Sequence, residues 1–126
     1  MKTAKKITVC CLLVLCPLVI LGCGKKADEN KPMGEVRAEA EKMDASGLRA
    51  AAMAYKEAVV AKKGEVEKLS AKLNGIPATE MLGNEAKELK ADIDKLTKSV
   101  SALEERFDVY YQKLKEKGGD LSGLEI

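Results

Sequence analysis

The chain has 126 residues, room for one small domain, and is rich in Ala, Lys, Glu and Leu with no Trp, no His and a single Phe, which favours long helices over a thick globular core. Of its 22 basic residues, Lys2, Lys5 and Lys6 fall in a distinct N-terminal segment, leaving 22 − 3 = 19 against 20 acidic residues, so the rest of the chain is close to neutral. That balance removes the concentrated positive face that nucleic-acid binding needs, and the lack of His removes the common zinc-ligand sets and the Ser/His/Asp and Cys/His catalytic arrangements.

Met1 to Lys6 carry three lysines, Ile7 to Leu21 form a fifteen-residue apolar run, and Gly22-Cys23 then meets a polar stretch. This is the three-part layout of a secretory signal. A permanent spanning helix needs about twenty apolar residues, so the run suits a cleaved segment better than a membrane span. Cys10, Cys11 and Cys16 lie inside it and only Cys23 lies beyond it, so the mature chain holds no disulfide framework and no thiolate metal cluster. A plain signal peptide, or a signal anchor with a chance cysteine at its boundary, is the alternative.

The residues Ile20-Leu21-Gly22-Cys23 resemble the lipobox of bacterial lipoproteins, although Leu21 is bulkier than the Ala or Ser common at that position. The resemblance implies that residues 1–22 are a signal peptide cut between Gly22 and Cys23. It also implies that the Cys23 thiol receives a diacylglyceryl group and that its new amine is acylated. Two or three acyl chains anchor stably where one holds only marginally, at about 0.8 kcal/mol per buried methylene. In some Gram-negative bacteria the residue after the lipidated cysteine selects the membrane. Gly24 there, followed by Lys25 and Lys26, implies the outer membrane if the host is Gram-negative.

Residues 24–34, GKKADENKPMG, are polar, contain Pro32 and lack apolar periodicity, so residues 23–34 read as a lipidated cysteine and flexible tether. Eleven residues reach at most about 35 to 40 Å when extended.

From Leu48 the apolar positions Leu48, Ala52, Tyr55, Val59, Val66, Leu69 and Leu73, with Lys62 among them, are spaced alternately four and three. A second such line runs through Leu82, Ala86, Leu89, Ile93, Leu96, Val100, Leu103, Phe107, Tyr110 and Leu114. These are heptad seams, and they predict an all-α antiparallel hairpin over 35–117, with helices at about 35–73 and 77–117. Between them, Gly75 suits a left-handed helix end and Pro77 a first helical turn, while Gly83 and Asn84 weaken the start of the second helix. Upstream, Val36, Ala40 and Met43 lose phase by one residue at Asp44 to Gly47. Either the helix continues with a skip, or it breaks and Ser46 caps a new start. Folding at residue 75 sets Val59 near Ile93, Lys62 opposite Leu89, Met43 near Phe107 and Val36 near Leu114 in a rod about 60 Å long. Residues 118–126, with three glycines, read as a flexible tail.

Two helices share one contact face, so further association is expected, into a four-helix bundle or with an envelope protein. Ala50, Met53 and Val60 form an apolar line beside the first seam. They are either a second association face or part of an Ala-rich helix chosen for propensity. Lys62 either fixes register or packs its stem and snorkels. Glu104, Glu105 and Asp108 read as a solvated face, the cluster of Phe107, Tyr110 and Tyr111 is a weak ligand-site candidate in which Phe107 and Tyr110 are core, and no catalytic residue or metal site is nominated. The organisation is similar to small helical outer-membrane lipoproteins of the murein lipoprotein type, over signal, lipobox and heptads. The ending Leu124-Glu125-Ile126 lacks the terminal Lys of that type, so no covalent peptidoglycan link is expected. The sequence thus points to a lipid-anchored structural or interaction protein of the cell envelope, not an enzyme and without further cofactor. A surface-exposed binding module acting through the hairpin tip is the alternative.

Overall fold

A computed structural model of the chain describes residues 26–126, and these contain helices and no strand. The proposed signal peptide, Gly22, Cys23, Gly24 and Lys25 lie outside the described residues. Three α-helices form: α1 (Met33–Lys42), α2 (Ala45–Asn74) and α3 (Asn84–Glu116), with a single 3-10 turn at Ala78–Glu80. At 1.5 Å per residue, α3 is about 50 Å long. The two long helices pack along one another, as the heptad seams require.

The upstream helix does break. Met43 and Asp44 are both extended, and the Asp44 carboxylate, not Ser46, caps α2 by accepting from the Gly47 N–H at 2.7 Å. The consequence is a reversal. Arg106 binds the Lys31 carbonyl, Lys113 pairs with Glu41 and Lys117 binds the Met43 carbonyl, so α1 runs parallel to α3 and antiparallel to α2. Val36 and Ala40 therefore belong to a three-helix bundle and not to an extension of the hairpin.

The hairpin register also differs from expectation. Tyr55 stacks on Tyr110 and Lys63 pairs with Glu104, which places Val59 at the level of Phe107, two heptads beyond Ile93. The cause is the connection. Gly75 is right-handed (φ −80), Pro77 precedes the 3-10 turn, and a second turn delays α3 until Gly83 caps it. The non-helical segment is thus longer than Asn74 to Pro77, and it folds beside the first turns of α3, where Ala86 is fully buried.

Burial divides the molecule lengthwise. Leu48, Tyr55, Val59, Leu103, Phe107, Tyr110 and Leu114 form one core with Val36 and Ala40. Beyond it, Val66, Leu69, Leu73, Leu89, Ile93 and Leu96 are only half-buried, because two helices without a third cannot dry both sides of a seam. A three-helix bundle at one end thus continues into a protruding two-helix arm.

Residues 118–126 are not a loose tail. Gly118, at φ 66, ends α3 in a Schellman turn: its N–H donates to the Lys115 carbonyl and that of Gly119 to Leu114, each at 3.0 Å. The chain then returns along α2 and buries Leu124 completely.

Candidate functional site

Two peptide segments occupy the two grooves between α2 and α3 at the bundle end. On α2, one touches Tyr55, Ala58 and Lys62, the other Arg49, Lys56 and Lys63. At 100° per residue the two sets lie roughly 125° apart, on either side of the α3-facing seam, so the segments sit on opposite flanks.

The first segment is Lys26 to Pro32, which the sequence reading takes as free tether. It is docked instead. Ala27 packs on the core, and the Tyr55 hydroxyl both accepts from the Asp28 N–H at 3.3 Å and donates to the Asp28 carbonyl at 3.2 Å. Glu29 pairs with Lys62 at 3.6 Å, and Lys31 pairs with Glu39. Most telling is Arg106, 8% exposed, whose Nε and Nη2 reach the Lys31 carbonyl at 2.9 and 2.6 Å while Nη1 reaches the Ala102 carbonyl at 2.6 Å. A buried guanidinium needs its donors satisfied, and here main-chain oxygens take them.

The same flank holds the principal electrostatic perturbation. Burial pushes the Tyr110 phenol above its ordinary value, reinforced by Glu39, whose carboxylate accepts from the hydroxyl at 3.4 Å. The hydrogen bond to Glu39 also raises Lys31. At neutral pH Tyr110 is thus neutral and Lys31 charged.

On the opposite flank, Arg49 donates to the carbonyls of Asp120 and Ser122 at 2.8 and 2.9 Å, and Lys56 donates to that of Gly123 at 2.7 Å. Leu124 seats in a cleft with Phe107 and Tyr111, whose rings lie 5.5 Å apart, and the cleft is rimmed by the Lys63–Glu104 ion pair. The Asp120 carboxyl is held below its ordinary value by hydrogen bonds from the Ser122 N–H and hydroxyl.

The expected association line Ala50, Met53, Val60 is not one open face. Met53, midway between the two tail-binding cations, packs against the core, whereas Ala50 is exposed and Val60 is 53% exposed. Lys62 faces Glu29 and the neighbourhood of Leu103, not Leu89. Glu104 is engaged by Lys63, and Glu105 and Asp108 are exposed. Among the described residues no cluster of three His, Cys, Asp or Glu side chains could hold a metal, and no helix is long and apolar enough to cross a membrane.

Arg106 and the two docked segments escaped sequence reading. Arg106 carries a faint signal, lying three residues after Leu103 and four before Tyr110 on the shoulder of the seam. The segments carry almost none, since their carbonyl acceptors leave no trace in residue type. Compared with protein-family models, with curated proteins and with solved structures, the chain matches none.

Proposed function

We propose that this protein is a lipid-anchored structural or interaction protein of the cell envelope, fixed through acylated Cys23 and engaging its partner through the two-helix arm. The observation that carries this reading is the lengthwise division of the fold. The segment leading from Cys23 docks on the fully packed bundle, while the half-wet seam and Leu82, 83% exposed at the turn, lie at the other end. A half-buried heptad seam gains by acquiring another helix, from a second copy or from an envelope partner.

The test is photocrosslinking in native membranes from Leu69 and Leu82 on the arm and from Glu116 on the bundle. Protein adducts from the arm positions support the reading; adducts confined to Glu116 contradict it. For self-association into a four-helix bundle, the half-buried arm residues Val66, Leu69, Leu73, Leu89, Ile93 and Leu96 are the candidate contacts. Sedimentation of residues 25–126, free of signal segment and anchor, as a monomer at high concentration removes that part.

The alternative, a surface-exposed module binding through its tip, draws on Leu82 alone. It predicts that protease added to intact cells cuts at Asn74-Gly75, and full protection there counts against it.

A further inference from the structure

We infer that a membrane meets the flank of the bundle carrying Lys26, Asn30, Pro32 and Glu35, because docking of residues 27–31 leaves the lipid only a short leash. This rests on the reading of Cys23 as the acylated residue. Read as free tether, residues 24–34 would hold the folded part as much as about 35 to 40 Å from the anchor. In the folded protein the leash ends at Ala27, which packs on the core, and the next residue is fastened at both its N–H and its carbonyl to Tyr55. Only four Cα steps separate Cys23 from Ala27, a reach of about 13 to 14 Å at full extension.

Where the leash ends decides which surface it pulls down. Lys26 shares a cleft with Glu35, Ala51 and Tyr55, so the chain leaves the bundle from its side. Ala58 and Lys62, which share a cleft with Ala27, stand thirteen and seventeen residues into α2, about 20 to 26 Å from the end of the bundle, a distance beyond the reach of the leash. The flank thus faces the lipid, and the opposite groove, filled by Leu124 and its neighbours, faces away. The occupant of this flank is a bilayer because the chain between it and the acyl groups is too short to seat a protein layer between them. Charge contributes little: Lys26 and Glu35 offset one another, and Asn30 and Pro32 are neutral. Proximity comes from the leash, not from attraction to anionic headgroups.

The experiment uses the mature lipoprotein in phosphatidylethanolamine/phosphatidylglycerol vesicles with acceptor-labelled lipid. Its Cys23 thiol is blocked by the thioether, so an introduced cysteine is the single free thiol. A donor dye is placed at Asn30→Cys on the inferred membrane flank or at Glu125→Cys on the opposite one. Energy transfer is expected to be several-fold stronger from position 30 than from 125. A twelve-residue Gly-Ser spacer between Lys25 and Lys26, adding roughly 20 Å of root-mean-square reach, should lower transfer at 30 and erase the difference. Equal transfer from both sites without the spacer, or no response to the spacer, overturns the inference while the anchor stands. Failure of the labelled protein to float with vesicles, with an unmodified Cys23 by mass, removes the anchor and the inference together.

Discussion

The guanidinium of Arg106 grips the main-chain carbonyl of Lys31 across 75 residues of sequence, with Nε at 2.9 Å and Nη2 at 2.6 Å, in a site only 8% exposed. This contact joins the segment that emerges from Cys23 to the middle of α3 and fixes where the bundle begins. Arg106→Met leaves the Lys31 carbonyl without its donors, at an expected cost of about 1.5 to 3 kcal/mol by chemical denaturation. The Asp28 amide should lose hydrogen-exchange protection at the same time. Retained protection at Asp28 would mean that Tyr55 alone suffices to dock the segment. Arg106→Lys, a point donor without the planar fork, should fall between the two.

The alkaline limb of stability should reflect the same flank. Tyr110 and Lys31 have raised pKa values, the first by burial and the second by its hydrogen bond to Glu39; Lys113 is raised by its hydrogen bonds to Glu116 and Glu41. A group raised in the folded state binds its proton more tightly there than in the unfolded chain. Its stabilisation is therefore complete below its unfolded value and is lost as pH rises through the folded one. Melting temperature should fall from about pH 10 upward. Tyr110→Phe should flatten that fall while lowering stability only modestly at neutral pH. On the acid side, Glu41 and Asp120 are lowered at exposed sites, so a small decline is expected as pH drops through their folded values.

Glycine substitutions should separate in sign. Gly118, at φ 66, closes the Schellman turn, and Gly118→Ala should cost about 1 to 2 kcal/mol for the left-handed conformation. A methyl at Gly119 would overlap the fully buried Leu114 side chain, whose Cγ lies 3.0 Å from that position, with the Ala45 Cβ at 3.4 Å. Gly119→Ala should cost a similar about 1 to 3 kcal/mol and loosen the tail. Gly64 sits inside α2 with nothing near its would-be Cβ, so Gly64→Ala should stabilise by about 0.8 to 1 kcal/mol. Thermal or urea unfolding of the three variants gives the comparison.

Leu124→Ala tests the tail directly. Removing a fully buried leucine should cost about 2 to 3 kcal/mol, partly relieved because a terminal segment can detach and rehydrate. The amides of Ser122 to Ile126 should then exchange freely while those of α2 and α3 keep their protection. Unchanged protection in the tail would show that the Arg49 and Lys56 hydrogen bonds hold it without the plug.

The long helices were legible because each heptad line is a period-3.5 signal sustained over many positions. Register was not, and the reason is physical: sliding one helix of an antiparallel pair by two heptads maps apolar positions onto apolar positions. Val59 finds an apolar neighbour whether it faces Ile93 or lies level with Phe107. Only the connection could break that degeneracy, and Gly75 adopts a right-handed conformation while the 3-10 turn carries the chain on to Gly83. The reversal at Met43-Asp44 was visible only as a one-residue phase slip. The same slip fits a continuous helix, since nothing in the local sequence says which way α1 turns. The tail failed differently: nine residues without period carry one plug residue, and what Arg49 and Lys56 grip there are the tail's own backbone oxygens, which any sequence supplies.

The chemistry of Cys23 decides whether the protein is membrane-anchored, and intact mass of the protein extracted from its native membrane is the direct measurement. The expected species begins at Cys23 and carries a diacylglyceryl group with or without a further amide-linked chain, and Cys23→Ser should abolish both lipidation and cleavage after Gly22, leaving a precursor that keeps residues 1–22. A chain that keeps residues 1–22, or a mature chain whose Cys23 has only its free thiol, would contradict the account.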